Sequence, residues 1–210
     1  MSSNKYLITE LIILFVLTPF VFLLPVPVSI KAGIVLLGII YVLVTTIRNK
    51  LVSTKSLYAW STISYWKYVL LRFVLLIAIS TVLMYFFNNE KLFIVLKTNI
   101  GFWLMLTAFY SIFSVYPQEF LYRSFFFARY GKLIKNPISF IAINAVVFSI
   151  AHVGFKNPMV IMLTLIGGVV FAITYSKTKS LLYTSIEHAL YGSWLFSVGA
   201  GEMLAFPMPV

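Results

Sequence analysis

The residues most able to do chemistry in this chain are a few ionisable side chains set in strongly apolar surroundings. They are Glu119 and Arg123, His152, and the adjacent pair Glu187 and His188, and they include both histidines of the sequence. A carboxylate can take a proton from water, and an imidazole can polarise that water or stabilise the oxyanion that forms. The three groups together therefore indicate a hydrolytic site.

Each group also has an ordinary structural explanation. Glu119 and Arg123 lie four residues apart, a spacing that predicts an ion pair on one helix face. A single histidine in an apolar run is commonly a hydrogen-bonded core residue. The predicted depth of these side chains in the membrane favours a functional role instead. At about 1.5 Å per residue from the cytoplasmic basic residues, Glu119 would lie roughly 15 Å deep, His188 roughly 13 Å and His152 roughly 22 Å. Ionisable groups at such depths are costly and are usually functional.

The composition indicates an integral membrane protein. Of 210 residues, 61% are hydrophobic and only 10% are charged, and the mean hydropathy is +1.01. A soluble domain of this size needs more charge than that to cover its surface. The absence of cysteine excludes disulfides and Cys-ligated metals. The net charge of +11 is interpreted as Lys and Arg in cytoplasmic loops, with membrane lipids as neighbours and no nucleic-acid partner.

Apolar stretches long enough to cross a bilayer predict an all-α, polytopic transmembrane helical bundle of about seven spans, within a range of six to eight. Prolines in the first stretch should kink it or end it early, and Pro117 should bend the over-long fourth stretch or start a new helix there. The predicted spans are residues 6–28, 30–47, 68–87, 98–127, 137–152, 158–175 and 180–198.

Charge placement predicts the orientation of these spans. With the N-terminus in the cytoplasm, most Lys and Arg of the loops fall on the cytoplasmic side, as the positive-inside rule requires. The default location is a bacterial-type plasma (cytoplasmic) membrane. The polar stretch 48–67 is the candidate linker. The predicted organisation is N-terminal transmembrane helices in 1–95, a protease-like core in 96–200 and a short tail in 201–210.

Three segments around the ionisable residues resemble, in order, the three motifs of one protein family. They are SVYPQEFLYR at 114–123, FSIAH at 148–152 and SLLYTSIEHALYG at 180–192. The motifs of the CAAX protease and bacteriocin-processing (CPBP) family of intramembrane endopeptidases read Glu-Glu-x-x-x-Arg, Phe-x-x-x-His and His-x-x-x-Asn. Residues 167–180 also resemble the glycine-bearing helix and short loop that precede the last motif. The resemblance covers roughly residues 100–200.

The resemblance implies a glutamate-dependent, metal-independent endopeptidase with an eight-helix-like all-α membrane fold. Glu119, Arg123, His152 and His188 fall on motif positions. In the family, a glutamate of the first motif and the histidine of the second activate water, and the third motif supplies the oxyanion hole. The implied substrate is a membrane-embedded or lipid-linked peptide or protein.

Two departures from the motifs leave the base and the oxyanion donors open. Gln118 stands where the family has its first glutamate, and an amide cannot act as a general base. Gly192 replaces the asparagine of the third motif, which removes one oxyanion donor. Glu119 could act as the base, or Glu187 could compensate, with Tyr191 as a substitute hydroxyl donor. The remaining alternative is a catalytically silent membrane binding or immunity protein.

A metal site is an alternative to the glutamate mechanism. Two histidines and one glutamate can form a catalytic zinc set, but here they come from three separate spans, without a His-x-x-x-His pair to fix two of them. The prediction is therefore a protease that needs no cofactor, with zinc kept as an alternative. A small transporter would also explain charges at mid-membrane depth, but no matched pair of broken helices supports it.

Overall fold

The computed structural model describes residues 3–51 and 62–204. Lys55 and most of the predicted linker, together with 205–210 of the predicted tail, lie outside the described residues. Within the described ranges the chain is helical and contains no strand. The helices are α1 Asn4–Leu23, α2 Val28–Arg48, α3 Thr62–Phe87, α4 Ile94–Thr98, α5 Ile100–Tyr130, α6 Pro137–Ile150, α7 Pro158–Thr178 and α8 Leu181–Ser197.

Six helices of the described chain are long and apolar enough to cross a membrane: α1, α2, α3, α5, α7, and α6 together with the short turn that follows it. The seventh predicted span forms α8, which has 17 residues. Large apolar side chains on these helices face outward, as Phe86 and Phe87 do with 74% and 82% of their surface exposed. The predicted all-α, multi-pass membrane class is confirmed.

Proline affects α1 and α5 differently. α1 passes Pro19 and ends at Leu23, ahead of Pro25, which agrees with the prediction of an early end. α5 neither ends nor restarts at Pro117 but continues from Ile100 to Tyr130. A wide π-helical turn lies on either side of the proline, at Tyr110–Val115 and Phe120–Phe125. Such turns accommodate a residue that cannot donate the regular helical hydrogen bond, so the span remains continuous.

The chain divides into two compact units, each assembled from two segments. Unit 1 contains Met1–Lys55 and Phe120–Ile173, and unit 2 contains Ser56–Glu119 and Thr174–Val210. The boundary falls inside α5, so Glu119 belongs to unit 2 and Arg123 to unit 1.

The core of unit 1 is aromatic and closely packed. The Phe15 ring of α1 makes edge-to-face contacts with Tyr122, Phe126 and Tyr130 of α5 at centroid distances of 5.2–5.9 Å. α6 and α7 approach each other at Gly168, where a Cβ would lie 2.9 Å from the Ala145 Cα. The absence of a side chain at Gly168 allows this close approach of the two helices.

The core of unit 2 forms between α5 and α8. Leu106, Tyr110 and Val115 of α5 are buried together with Phe196 of α8. The Trp103 indole also donates a hydrogen bond of 2.9 Å to the Ser197 hydroxyl, which fixes the far end of the contact. These contacts set the register in which α8 presents its polar residues to α5.

Candidate active site

Unit 2 contains a buried carboxylate–imidazole pair. The Glu119 Oε1 atom lies 2.8 Å from the Nδ1 atom of His188. Glu119 is completely buried and only 7% of His188 is exposed. An ionised carboxylate can only accept a hydrogen bond, so in the state with Glu119 ionised and the imidazole neutral, Nδ1 donates and Nε2 keeps its lone pair. A carboxylate that orients an imidazole in this way prepares the ring to accept a proton through Nε2.

The sequence of α8 explains why His188 faces inward. Ser180 caps the helix by accepting a hydrogen bond from the Tyr183 amide. Residues four apart lie on one helix face, and one such row is buried along the whole of α8. It consists of Thr184, His188, Gly192 and Phe196.

Glu187 belongs to a different polar group of unit 2. It accepts a 3.0 Å ion-pair hydrogen bond from Arg72 of α3, which also donates to the Thr174 hydroxyl at 3.2 Å. The Tyr191 hydroxyl lies 2.9 Å from Glu187 Oε1 and 3.0 Å from the Val69 carbonyl oxygen. Arg72 of α3 therefore balances the negative charge of Glu187 of α8.

Gln118 lies next to Glu119 in the chain but has a separate partner. Its side-chain nitrogen donates a 2.8 Å hydrogen bond to the Ser114 hydroxyl, one helical turn earlier. An amide in this position can orient a neighbour or a substrate by hydrogen bonding, but it cannot take a proton from water.

Unit 1 contains the arginine of the first motif and the histidine of the second. Arg123 is fully buried, donates to the Asn144 side-chain oxygen and lies over the Phe148 ring at 4.8 Å. Asn144 in turn donates to the Tyr122 carbonyl oxygen at 2.7 Å. Asn144 belongs to none of the three motifs, although an amide in the middle of an apolar helix is itself a signal of a buried hydrogen-bond partner.

His152 lies just beyond the end of α6 and is partly exposed. Its Nδ1 atom lies 2.8 Å from the Phe148 carbonyl oxygen, so Nδ1 donates and Nε2 is directed away from that bond. The His152 ring contacts the Phe148 ring at 4.9 Å and stacks on Phe155 at 5.9 Å. Phe148 thus contacts both Arg123 and His152, which gives the aromatic residue of the second motif a physical role.

Unit 1 also contains a charged group that the sequence analysis did not predict. Glu10 of α1 accepts hydrogen bonds from Arg129 Nε at 2.9 Å and from its terminal nitrogen at 2.7 Å. The hydroxyls of Tyr130, at 2.7 Å, and Tyr41 donate to the same carboxylate. The available signal was a glutamate inside an apolar first span, since such a residue needs a partner.

The described part of the chain contains no group of three or more His, Asp or Glu side chains placed to hold one metal ion.

Comparison with known proteins shows a similarity to one protein family. Residues 99–194 match the family model described as type II CAAX prenyl endopeptidase Rce1-like, and this range contains all the motif residues described above. Searches of curated proteins and of solved structures gave no significant match. The match over residues 99–194 supports the resemblance to this family that the three sequence motifs indicated.

Proposed function

We propose that this protein is an intramembrane endopeptidase that hydrolyses a peptide bond of a membrane-associated substrate with water activated by Glu119 and His188. The observation that carries the proposal is the buried hydrogen bond of 2.8 Å between Glu119 Oε1 and His188 Nδ1. The similarity of residues 99–194 to a prenyl endopeptidase family supports hydrolysis as the reaction class.

The proposed mechanism uses the two nitrogens of His188 differently. Nε2 accepts a proton from water as the water oxygen attacks the substrate carbonyl carbon. Nδ1–H remains hydrogen-bonded to Glu119, whose negative charge stabilises the imidazolium that forms. The imidazolium then gives its proton to the departing amine as the carbon–nitrogen bond breaks. In this scheme Glu119 acts through His188, and Gln118 takes no part in proton transfer.

The residues of unit 1 are assigned from their motif positions. We propose His152 as a catalytic residue from its position in the second motif; its Nδ1 atom donates to the Phe148 carbonyl oxygen. Arg123 is a positioning residue, because its contacts with Asn144 and Phe148 hold α5 and α6 together. Glu187 is assigned to folding through its ion pair with Arg72.

The proposed substrate class follows from the membrane location and the family. A membrane-embedded or lipid-linked peptide would reach a buried pair without leaving the bilayer. A prenylated C-terminal CAAX peptide is one member of this class, in which a lipid on the cysteine anchors the peptide to the membrane.

The test compares wild-type protein with His188→Ala in detergent, using a quenched farnesylated CAAX peptide and a quenched transmembrane-peptide library. Cleavage by wild type is expected to persist in the presence of a chelator and to fall by about 10²–10⁴-fold in His188→Ala, because the general base is lost. Thermal unfolding must show that the variant is folded. If folded wild type cleaves neither probe, the protein is a binding or immunity protein instead; if the chelator stops cleavage, a metal mechanism replaces this one.

We also propose a plasma-membrane location with a cytoplasmic N-terminus, because this orientation puts most of the loop Lys and Arg residues in the cytoplasm. The chain contains no cysteine, so any introduced cysteine is unique. In intact cells, a membrane-impermeant thiol reagent is expected to label Lys156→Cys and not Lys5→Cys. The reverse labelling pattern would invert the proposed topology.

A further inference from the structure

One face of α8 carries both His188 and Gly192, four residues apart. Position 192 is buried and has no side chain of its own, and the space beside it is filled from α5. A Cβ at this position would overlap the hydroxyl of Tyr110 and lie 2.6 Å from the ring carbon that bears it. Glycine at 192 is therefore the residue that allows the Tyr110 hydroxyl to reach the backbone of α8.

Tyr110 is held firmly in this position. Only 7% of it is exposed, and its ring packs edge-on against Phe196 with centroids 4.8 Å apart. It opens the π-helical turn Tyr110–Val115 of α5, a local widening that changes the direction in which α5 side chains point. The Tyr110 and His188 rings are 6.1 Å apart and nearly perpendicular. A phenolic hydroxyl thus lies one helical turn from the imidazole, on the same face of α8.

We propose that the Tyr110 hydroxyl is the oxyanion donor of this enzyme and that it takes the place vacated by the missing third-motif side chain at Gly192. This inference rests on the proposed function. When water attacks the carbonyl carbon, the π electrons of the carbonyl move to its oxygen. The Tyr110 O–H group donates a hydrogen bond to that oxygen and keeps its proton, while the proton of water goes to His188. When the intermediate collapses, the carbonyl re-forms, the carbon–nitrogen bond breaks and His188 protonates the amine.

A tyrosine suits this role because its hydroxyl is fixed by a rigid, buried ring. A donor aimed at the developing negative charge in a site without water is worth more than the same donor in water, and removal of one such donor commonly costs about 10²–10³-fold in rate. Tyr191, the donor that the sequence suggested, has its hydroxyl within hydrogen-bond distance of Glu187 and the Val69 carbonyl oxygen. Tyr110 is the tyrosine that faces the His188 row.

The decisive variant is Tyr110→Phe, which removes the hydroxyl and keeps the ring that packs on Phe196. With a quenched peptide that wild type cleaves, the kcat is expected to fall by about 10²–10³-fold with little change in KM, because the donor acts in the transition state. Tyr65→Phe is the matched control: it removes a buried hydroxyl of the same unit that donates to the Tyr183 carbonyl oxygen, and it should retain the wild-type kcat.

A second pair of variants tests whether a side chain at position 192 can replace the Tyr110 side chain. Gly192→Asn alone is expected to lower the unfolding temperature, because its Cβ would overlap Tyr110. In Tyr110→Ala the ring is gone, and adding Gly192→Asn should recover at least tenfold in kcat over Tyr110→Ala by returning an amide donor to the His188 face. A purely structural role for Tyr110 would not produce this rescue.

The outcomes separate this inference from the proposed function. If wild type cleaves the peptide and folded Tyr110→Phe cleaves it with the same kcat, the inference is overturned and the endopeptidase proposal stands. A fall in kcat with Tyr191→Phe and not with Tyr110→Phe overturns it in favour of Tyr191. If folded wild type cleaves no probe, the endopeptidase proposal is overturned, and the assignment of Tyr110 as an oxyanion donor is overturned with it.

Discussion

Glu119→Gln is expected to leave the protein folded and to lower peptide cleavage by about 10²–10⁴-fold, the range that general acid–base groups contribute. The glutamine has nearly the same shape as Glu119, and its carbonyl oxygen can still accept the hydrogen bond from His188 Nδ1. It carries no negative charge, so it cannot stabilise the imidazolium that forms when His188 takes a proton from water. The measurement is kcat/KM in detergent with a quenched membrane peptide, after thermal unfolding has shown a folded variant.

Glu187→Gln is the matched comparison, because it makes the same chemical change one residue before His188. Glu187 is paired with Arg72, whose side chain is 26% exposed, so this change leaves a partly buried cation without its counter-ion. It should reduce stability more than Glu119→Gln does and reduce cleavage less. The opposite result, with cleavage lost in folded Glu187→Gln and kept in Glu119→Gln, would move the active carboxylate to Glu187 and contradict the proposed mechanism.

Much of the fold could be predicted from the sequence because lipid imposes a simple rule. A chain in a bilayer must satisfy its backbone hydrogen bonds internally, so each long apolar stretch must be a helix. Each of the seven predicted spans coincides with a helix whose ends differ from the prediction by at most about six residues, and six of these helices are long and apolar enough to cross a membrane. It did not predict how α5 passes Pro117, since two π-helical turns are a local solution that depends on packing and not on hydropathy.

The motifs predicted which residues would be buried and polar, but not the partner of each. Glu119 was expected to pair with Arg123 because only the spacing along the helix was visible. The described contacts add His188 as a partner of Glu119 and Asn144 as a partner of Arg123. Glu119 and His188 are 69 residues apart and Glu187 and Arg72 are 115 apart, so only the three-dimensional structure could pair them.

Gly192 is a second position at which the motifs do not reveal the three-dimensional contacts. A motif comparison registers only that a side chain is missing there. The space beside Gly192 is filled by Tyr110 of α5, which lies in none of the three motifs. A missing motif residue is therefore weak evidence for lost activity until the space it leaves has been described.

Arg129→Met is expected to destabilise the protein by about 3–5 kcal/mol, the usual cost of removing one partner of a buried ion pair. Arg129 donates two hydrogen bonds to Glu10, and only 8% and 3% of the two side chains are exposed. Methionine keeps much of the apolar length of arginine but leaves the Glu10 carboxylate buried with the hydroxyls of Tyr41 and Tyr130 as its donors. Unfolding by denaturant in detergent micelles measures the loss.

Arg48→Met provides the control, since it removes an exposed arginine at the end of α2 and should change stability by no more than about 0.5 kcal/mol. The double variant Glu10→Gln/Arg129→Met removes both charges and should be more stable than Arg129→Met alone, because no buried charge is left uncompensated. Additive effects of the two substitutions would show that Glu10 and Arg129 do not act as a pair. A strong coupling between the two substitutions would mean that this ion pair holds α1 against the part of α5 that follows Arg123. α1 carries no family motif, so the N-terminal span would then contribute to the stability of the motif-bearing helix.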